Sequence, residues 1–139
     1  YWAAISLRNS FFDDVNMHQN VSEWINDVAP SVRIEIAAWL ACFPDQRGVA
    51  LGRLVEDLGH SDWAVALQAC RAIELLGPKA KPVLEPMKRI YAKTRNEPGD
   101  NNFFIAFSSG AFLDKLGEKT VPWDFTPGAG SFMPPKKKK

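Results

Sequence analysis

The segment Ser61-Asp62-Trp63-Ala64-Val65-Ala66-Leu67-Gln68-Ala69-Cys70-Arg71-Ala72-Ile73-Glu74-Leu75-Leu76-Gly77-Pro78 spells out one helix together with both of its ends. Ser61 or Asp62 supplies a side-chain oxygen that accepts from the backbone N–H groups left free in a first turn. Ala66, Ala69, Cys70, Ile73 and Leu76 recur at helical spacing on one stripe, with Gln68, Arg71 and Glu74 on the opposite side. Gly77 and Pro78 then stop the helix, since glycine tolerates the left-handed conformation and proline cannot extend the hydrogen-bond ladder.

This helix is repeated along the chain. Val65–Ile73 overlays Val32–Leu40 at a shift of 33 residues, and Ile34–Leu40 overlays Tyr1–Leu7 at the same shift. At a shift of 40, Ile105–Gly117 falls on Val65–Gly77. Ala4, Ala37, Cys70 and Gly110 then form one column, and Leu7, Leu40, Ile73 and Leu113 another. A small residue followed three positions later by a large aliphatic one, at intervals of a few tens of residues, marks stacked helical pairs. One helical hairpin cannot bury its apolar face alone, so each leans on its neighbours. The small column lets two backbones approach and the large column fills the space beside it. The sequence therefore predicts an all-α fold, a short solenoid of antiparallel helix pairs.

The remaining helices follow from the same period and from punctuation. They are expected at Tyr1–Asn9, around Val21–Asn26, at Pro30–Cys42, at Arg47–Leu58, from Pro82 to about Lys93, and from Asn102 to Leu116. In the fourth of these, Val49, Leu51, Leu54, Val55 and Leu58 are read as its apolar set. Pro30 suits a first turn, where its missing N–H costs nothing. Thr94–Asn101 is polar, holds Pro98-Gly99, and reads as the longer loop behind the 40-residue shift. Beyond Gly117 the helical period ends, so residues 1–117 are expected to form the repeats and 118–139 an irregular tail rich in proline, glycine and aromatics. Trp123, Phe125 and Phe132 are expected to strap that tail across the last repeat, because exposed aromatics are costly.

With 139 residues and 46% hydrophobic composition, the chain has the means for one domain with its own core. Lys136–Lys139 account for four of its positive charges, and the rest carries a net −3, which does not suit binding to nucleic acid. No run of eighteen apolar residues is present, so no membrane-spanning helix is expected. Cys42 and Cys70 sit in apolar helical surroundings and read as small hydrophobes, not as a disulfide framework. Tyr1, Trp2 and Ile5 lack the polar outer face of a terminal repeat, so the chain reads as a fragment with an upstream segment missing.

The ankyrin and tetratricopeptide signatures are absent, and the pattern that remains resembles the HEAT-like family. Ser61 to Pro82 in particular resembles the HEAT-like region that follows the catalytic domain of bacterial type I sulfatases. Tyr1-Trp2-Ala3-Ala4, Ala29-Pro30-Ser31-Val32-Arg33-Ile34-Glu35 and Asn102-Phe103-Phe104-Ile105-Ala106-Phe107 resemble its flanking segments. The resemblance implies a parent sulfuric ester hydrolase. Its separate α/β catalytic domain would hold calcium and a formylglycine made from a Cys/Ser-x-Pro-x-Arg motif, and the protein would be periplasmic or secreted. It implies for this segment a non-catalytic accessory role, with no cofactor of its own and the parent catalytic domain as partner in cis.

Three look-alikes of that family's site are read as structural. Cys42-Phe43-Pro44-Asp45-Gln46-Arg47 has Gln46 where arginine is required and closes a helix. Asp13-Asp14 and Asp100-Asn101 resemble metal ligands but lie on separate loops, whereas calcium needs six to eight oxygens around one point. His18 and His60 are too far apart in sequence to make a local metal or nucleophile–base pair. Gly128-Ala129-Gly130 neither follows a strand nor opens a helix, as a phosphate loop would. No catalytic residue is therefore assigned. The residues named for interaction are Gln68, Arg71 and Glu74, as a surface for a protein partner in a stand-alone scaffold, and Lys136, Lys137, Lys138 and Lys139, as a contact for sulfated polysaccharide. The competing reading of the four lysines is a solvated end.

Overall fold

The computed structural model describes residues 1–97 and 99–122 of the chain. Among the described residues the regular structure is all helical, with no strand. The elements are α1 (Trp2–Ser10), α2 (Val15–Val21), a 3-10 helix (Ser22–Asn26), α3 (Pro30–Leu40), α4 (Arg47–Leu58), α5 (Trp63–Leu76), a second 3-10 segment (Gly77–Val83), α6 (Leu84–Asn96) and α7 (Asp100–Lys115).

Local chemistry sets most of these limits. The Asp14 carboxylate accepts from Met17 N at 3.0 Å and starts α2. Asp62, not Ser61, caps α5, accepting from Ala64 N at 2.9 Å. Asp27 turns the chain into α3 by accepting from Ala29 N at 2.7 Å, and Pro30 sits in the first turn. Gly77 and Gly117 end α5 and α7 with φ of +54° and +77°, a conformation that other residues adopt only with strain. Arg47 closes α3 from outside: its Nε donates to the Ala41 carbonyl at 3.0 Å and its Nη2 to that of Cys42 at 3.4 Å.

Several expected boundaries are corrected. The helix placed around Val21–Asn26 is two elements, since α2 ends at Val21 and the 3-10 turn follows. α3 stops at Leu40 rather than Cys42. The helix expected from Pro82 begins at Leu84, because Pro78 and Pro82 lack the N–H groups an α-helical ladder needs and the chain runs as 3-10 through both. Pro86 then falls in the first turn of α6, where it is tolerated. That helix also takes in Thr94, Arg95 and Asn96 from the expected loop, and Thr94 Oγ1 donates to the Ile90 carbonyl at 2.8 Å. Val49, counted with the apolar set of α4, faces outward and is 67% exposed.

α1 packs on α3, α3 on α5 and α5 on α7, while α4 lies against both α3 and α5 and α6 lies against α7. These helices bury the two columns read from the sequence. Ala4, Ala37, Cys70 and Gly110 are all buried, as are Leu40, Ile73 and Leu113, and Leu7 packs at the core edge. Two of the small residues stand against a specific neighbour. Cys70 Sγ lies 3.7 Å from the Ile105 carbonyl of α7, and a Cβ on Gly110 would stand 3.1 Å from the Tyr91 ring of α6. The largest core side chain, Trp39, is fully buried, and its Nε1 donates to the Phe12 carbonyl at 3.1 Å.

An ion pair between half-buried Arg33 and buried Asp57 ties α3 to α4. Arg33 on α3 donates through Nε to both Asp57 carboxylate oxygens at 3.0 Å and also pairs with Asp57 through Nη2. The same guanidinium reaches the Val28 carbonyl at 3.2 Å. Its hydrogen bonds to Asp57 raise the arginine pKa further, so the guanidinium stays charged. The described part of the tail turns back on α6: Val121 N donates to Tyr91 Oη at 3.0 Å and Arg95 Nη2 to the Pro122 carbonyl at 3.1 Å. The aromatic strap expected at Trp123, Phe125 and Phe132 lies outside the described residues.

Candidate functional site

The outward side of α5 is not uniformly polar. Trp63, Leu67, Arg71 and Leu75 form one four-residue ridge and Ala64, Gln68, Ala72 and Leu76 the next, and all of them, with Lys79 of the 3-10 segment beyond, line a groove of about 700 Å³. At about 1.5 Å per residue, α5 gives this groove a wall about 20 Å long. The facing wall comes from Tyr1 and Arg8 of the first helix and its cap, Phe12 beyond it, and Glu35, Ala38 and Cys42 at α3 and its end. Trp63 and Leu75 are 43% and 67% exposed, so apolar surface stands open to water at both ends of the ridge.

Charge is distributed unevenly around the groove. Arg8 donates to Glu35 at 2.6 Å and so staples α1 to α3. Arg71 pairs with Glu74, which leaves Lys79 as the groove cation without an ion pair among the described residues. Of the three residues read from the sequence as an interaction surface, Gln68 and Arg71 do line the groove.

Glu74 does not, and its placement is corrected. It is only 5% exposed and faces α7, where Ser108 Oγ donates to it at 2.8 Å and Lys115 Nζ at 3.3 Å. Burial works against its charge, but hydrogen bonds from Arg71, Ser108 and Lys115 prevail and hold its pKa below the ordinary value. It is a link between helices rather than a contact offered to a partner. Lys136, Lys137, Lys138 and Lys139 lie outside the described residues.

The look-alike residues are engaged elsewhere. Cys42 Sγ lies 3.8 Å from the Ala38 carbonyl, and Arg47 of the same segment is occupied with the end of α3. Asp14 is a helix cap, and Asp100 and Asn101 open α7. Burial pushes the Cys70 thiol up to about 12, which keeps it protonated and poorly nucleophilic at neutral pH. His60 Nδ1 accepts from Asp62 N at 3.0 Å at the start of α5. His18 is buried with its ring edge-on to Phe43 at 4.0 Å. Among the described residues no three His, Cys, Asp or Glu side chains gather as a metal site, and no helix is long and apolar enough to cross a membrane.

The sequence reading missed the groove as a unit. The signal was present, since Trp63, Leu67 and Leu75 are large apolar residues that fall outside the stripe of Ala66, Ala69, Cys70, Ile73 and Leu76. The contributions of Tyr1 and Phe12 come from distant segments and needed the packing of α1 on α3. No family model, no curated protein and no solved structure matches the chain.

Proposed function

We propose that this chain is a non-catalytic helical-repeat accessory domain of a sulfatase-family sulfuric ester hydrolase, a short HEAT-like solenoid whose α5 groove packs against the parent catalytic domain. The observation that carries this reading is the open apolar ridge of Trp63, Leu67 and Leu75, edged by Arg71 and Lys79, on a surface made jointly by α1, α3 and α5. Contiguous apolar surface of this kind is what protein contacts cover. The buried columns at successive helix contacts support the repeat reading, and the resemblance of Ser61 to Pro82 supplies the parent enzyme. In this reading calcium and the formylglycine belong to the catalytic domain, and the segment needs neither.

The test joins assay with gene sequence. Purified with calcium, the chain turns over no aryl sulfate, and DNA read in frame upstream of the Tyr1 codon encodes an α/β domain with a Cys/Ser-x-Pro-x-Arg motif. Turnover by the chain itself, or an unrelated domain upstream, contradicts the reading. The same groove favours one alternative, a stand-alone HEAT-type scaffold that takes a separate protein as partner. An unrelated upstream domain, with binding lost on Trp63→Glu, would select it.

A further inference from the structure

A second depression, between α4 and α6, shares no residue with the α5 groove. Its walls are Val55, Leu58 and Gly59 on one side and Pro86, Arg89, Ile90 and Lys93 on the other. Val55, Leu58, Pro86 and Ile90 make an apolar floor. Arg89 and Lys93 are exposed, stand one turn apart on α6, and make no ion pair among the described residues. Their neighbour Lys88 behaves differently: Glu85 holds it at 3.3 Å and Glu118 at 3.0 Å. Arg89 and Lys93 are thus the two charged residues that line the cleft, and both are positive.

We propose that the α4/α6 cleft docks an acidic amphipathic helix of a protein partner. Aliphatic side chains spaced at i and i+4 on that helix seat over Val55, Leu58 and Ile90, and its carboxylates pair with Arg89 and Lys93. The size of the cleft selects this occupant. Its volume of about 240 Å³ is below the range of about 300 Å³ and upward that encloses a small-molecule ligand, yet it accepts single side-chain anchors. A sulfated sugar or a nucleic-acid backbone would use the two cations and leave the apolar floor uncovered. The α5 groove makes a poorer acidic-helix site, because Arg8 and Arg71 already hold Glu35 and Glu74.

The experiment uses the whole chain and a fluorescein-labelled helical peptide of about four turns, with leucines at i and i+4 flanked by glutamates. Fluorescence anisotropy is expected to show saturable binding that weakens with salt. The double variant Arg89→Glu/Lys93→Glu is expected to keep its melting temperature, since both side chains are exposed, and to lose at least about tenfold in affinity. That variant should bind a peptide carrying lysine in place of glutamate better than the original chain does, and Ile90→Ser should weaken both pairings. Absence of binding by the acidic peptide, equal binding of both peptides to both proteins, or heparin binding that depends on Arg89 and Lys93 without peptide binding would each overturn the proposal. None of these outcomes bears on the parent enzyme, which the upstream gene sequence tests by itself.

Discussion

Glu74 sits where an acidic residue is hardest to keep, and three donors from two helices keep it ionised. Its pKa is held below the ordinary 4.5, so the native state gains stability from its charge above that pH and loses it as pH falls through the depressed native value. Urea melts of the wild type are therefore expected to lose stability steeply below about pH 4.5. Glu74→Gln is less stable at pH 7 and flatter across the acidic window. Equal pH profiles for the two proteins would show that the carboxylate is not linked to folding. Sequence alone misplaced this residue for a physical reason. Glu74 is polar and three residues beyond Arg71, which suggested a solvated face, but α5 is packed by α3, α4 and α7 and so has a buried arc wider than one stripe. Polarity reports exposure only for helices with a single neighbour.

At the scale of elements, the repeat makes a sharp demand of Ala37, which is fully buried in the small-residue column. Ala37→Leu adds volume where no space remains and is expected to cost about 1–3 kcal/mol, read as a lowered denaturation midpoint with unchanged m-value. A variant as stable as the parent would mean that the column does not mark a close contact. The helices whose ends carry chemistry were legible: α5 lies between its cap Asp62 and its stop Gly77, and α4, from Arg47 to Leu58, ends at the stop residue Gly59. The elements that were not legible depend on tertiary support. The 3-10 path of Gly77–Val83 buries Ala80 and Val83 against the neighbouring helices, and neither proline in it says on which side the next α-helix begins. The site was half legible for the same reason. Gln68 and Arg71 lie on the strongest helix of the sequence, whereas Tyr1, Phe12 and Cys42 join them only through the packing of α1 and α5 on α3.

At the scale of the molecule, α1, α3, α5 and α7 succeed one another at the shifts found in the sequence, and each touches the next. The structure carries apolar depressions at two separate places, the α5 groove and the α4/α6 cleft. Shingled hairpins and a closed bundle of the same helices differ in which pairs meet. The direct discriminator is a set of interhelical NOEs on isotopically labelled protein. Cross-peaks from Arg8 to Glu35, from Cys70 to Ile105 and from Glu74 to Ser108 are expected, joining α1 to α3 and α5 to α7. Strong cross-peaks from α1 to α7, with those three missing, would contradict the account.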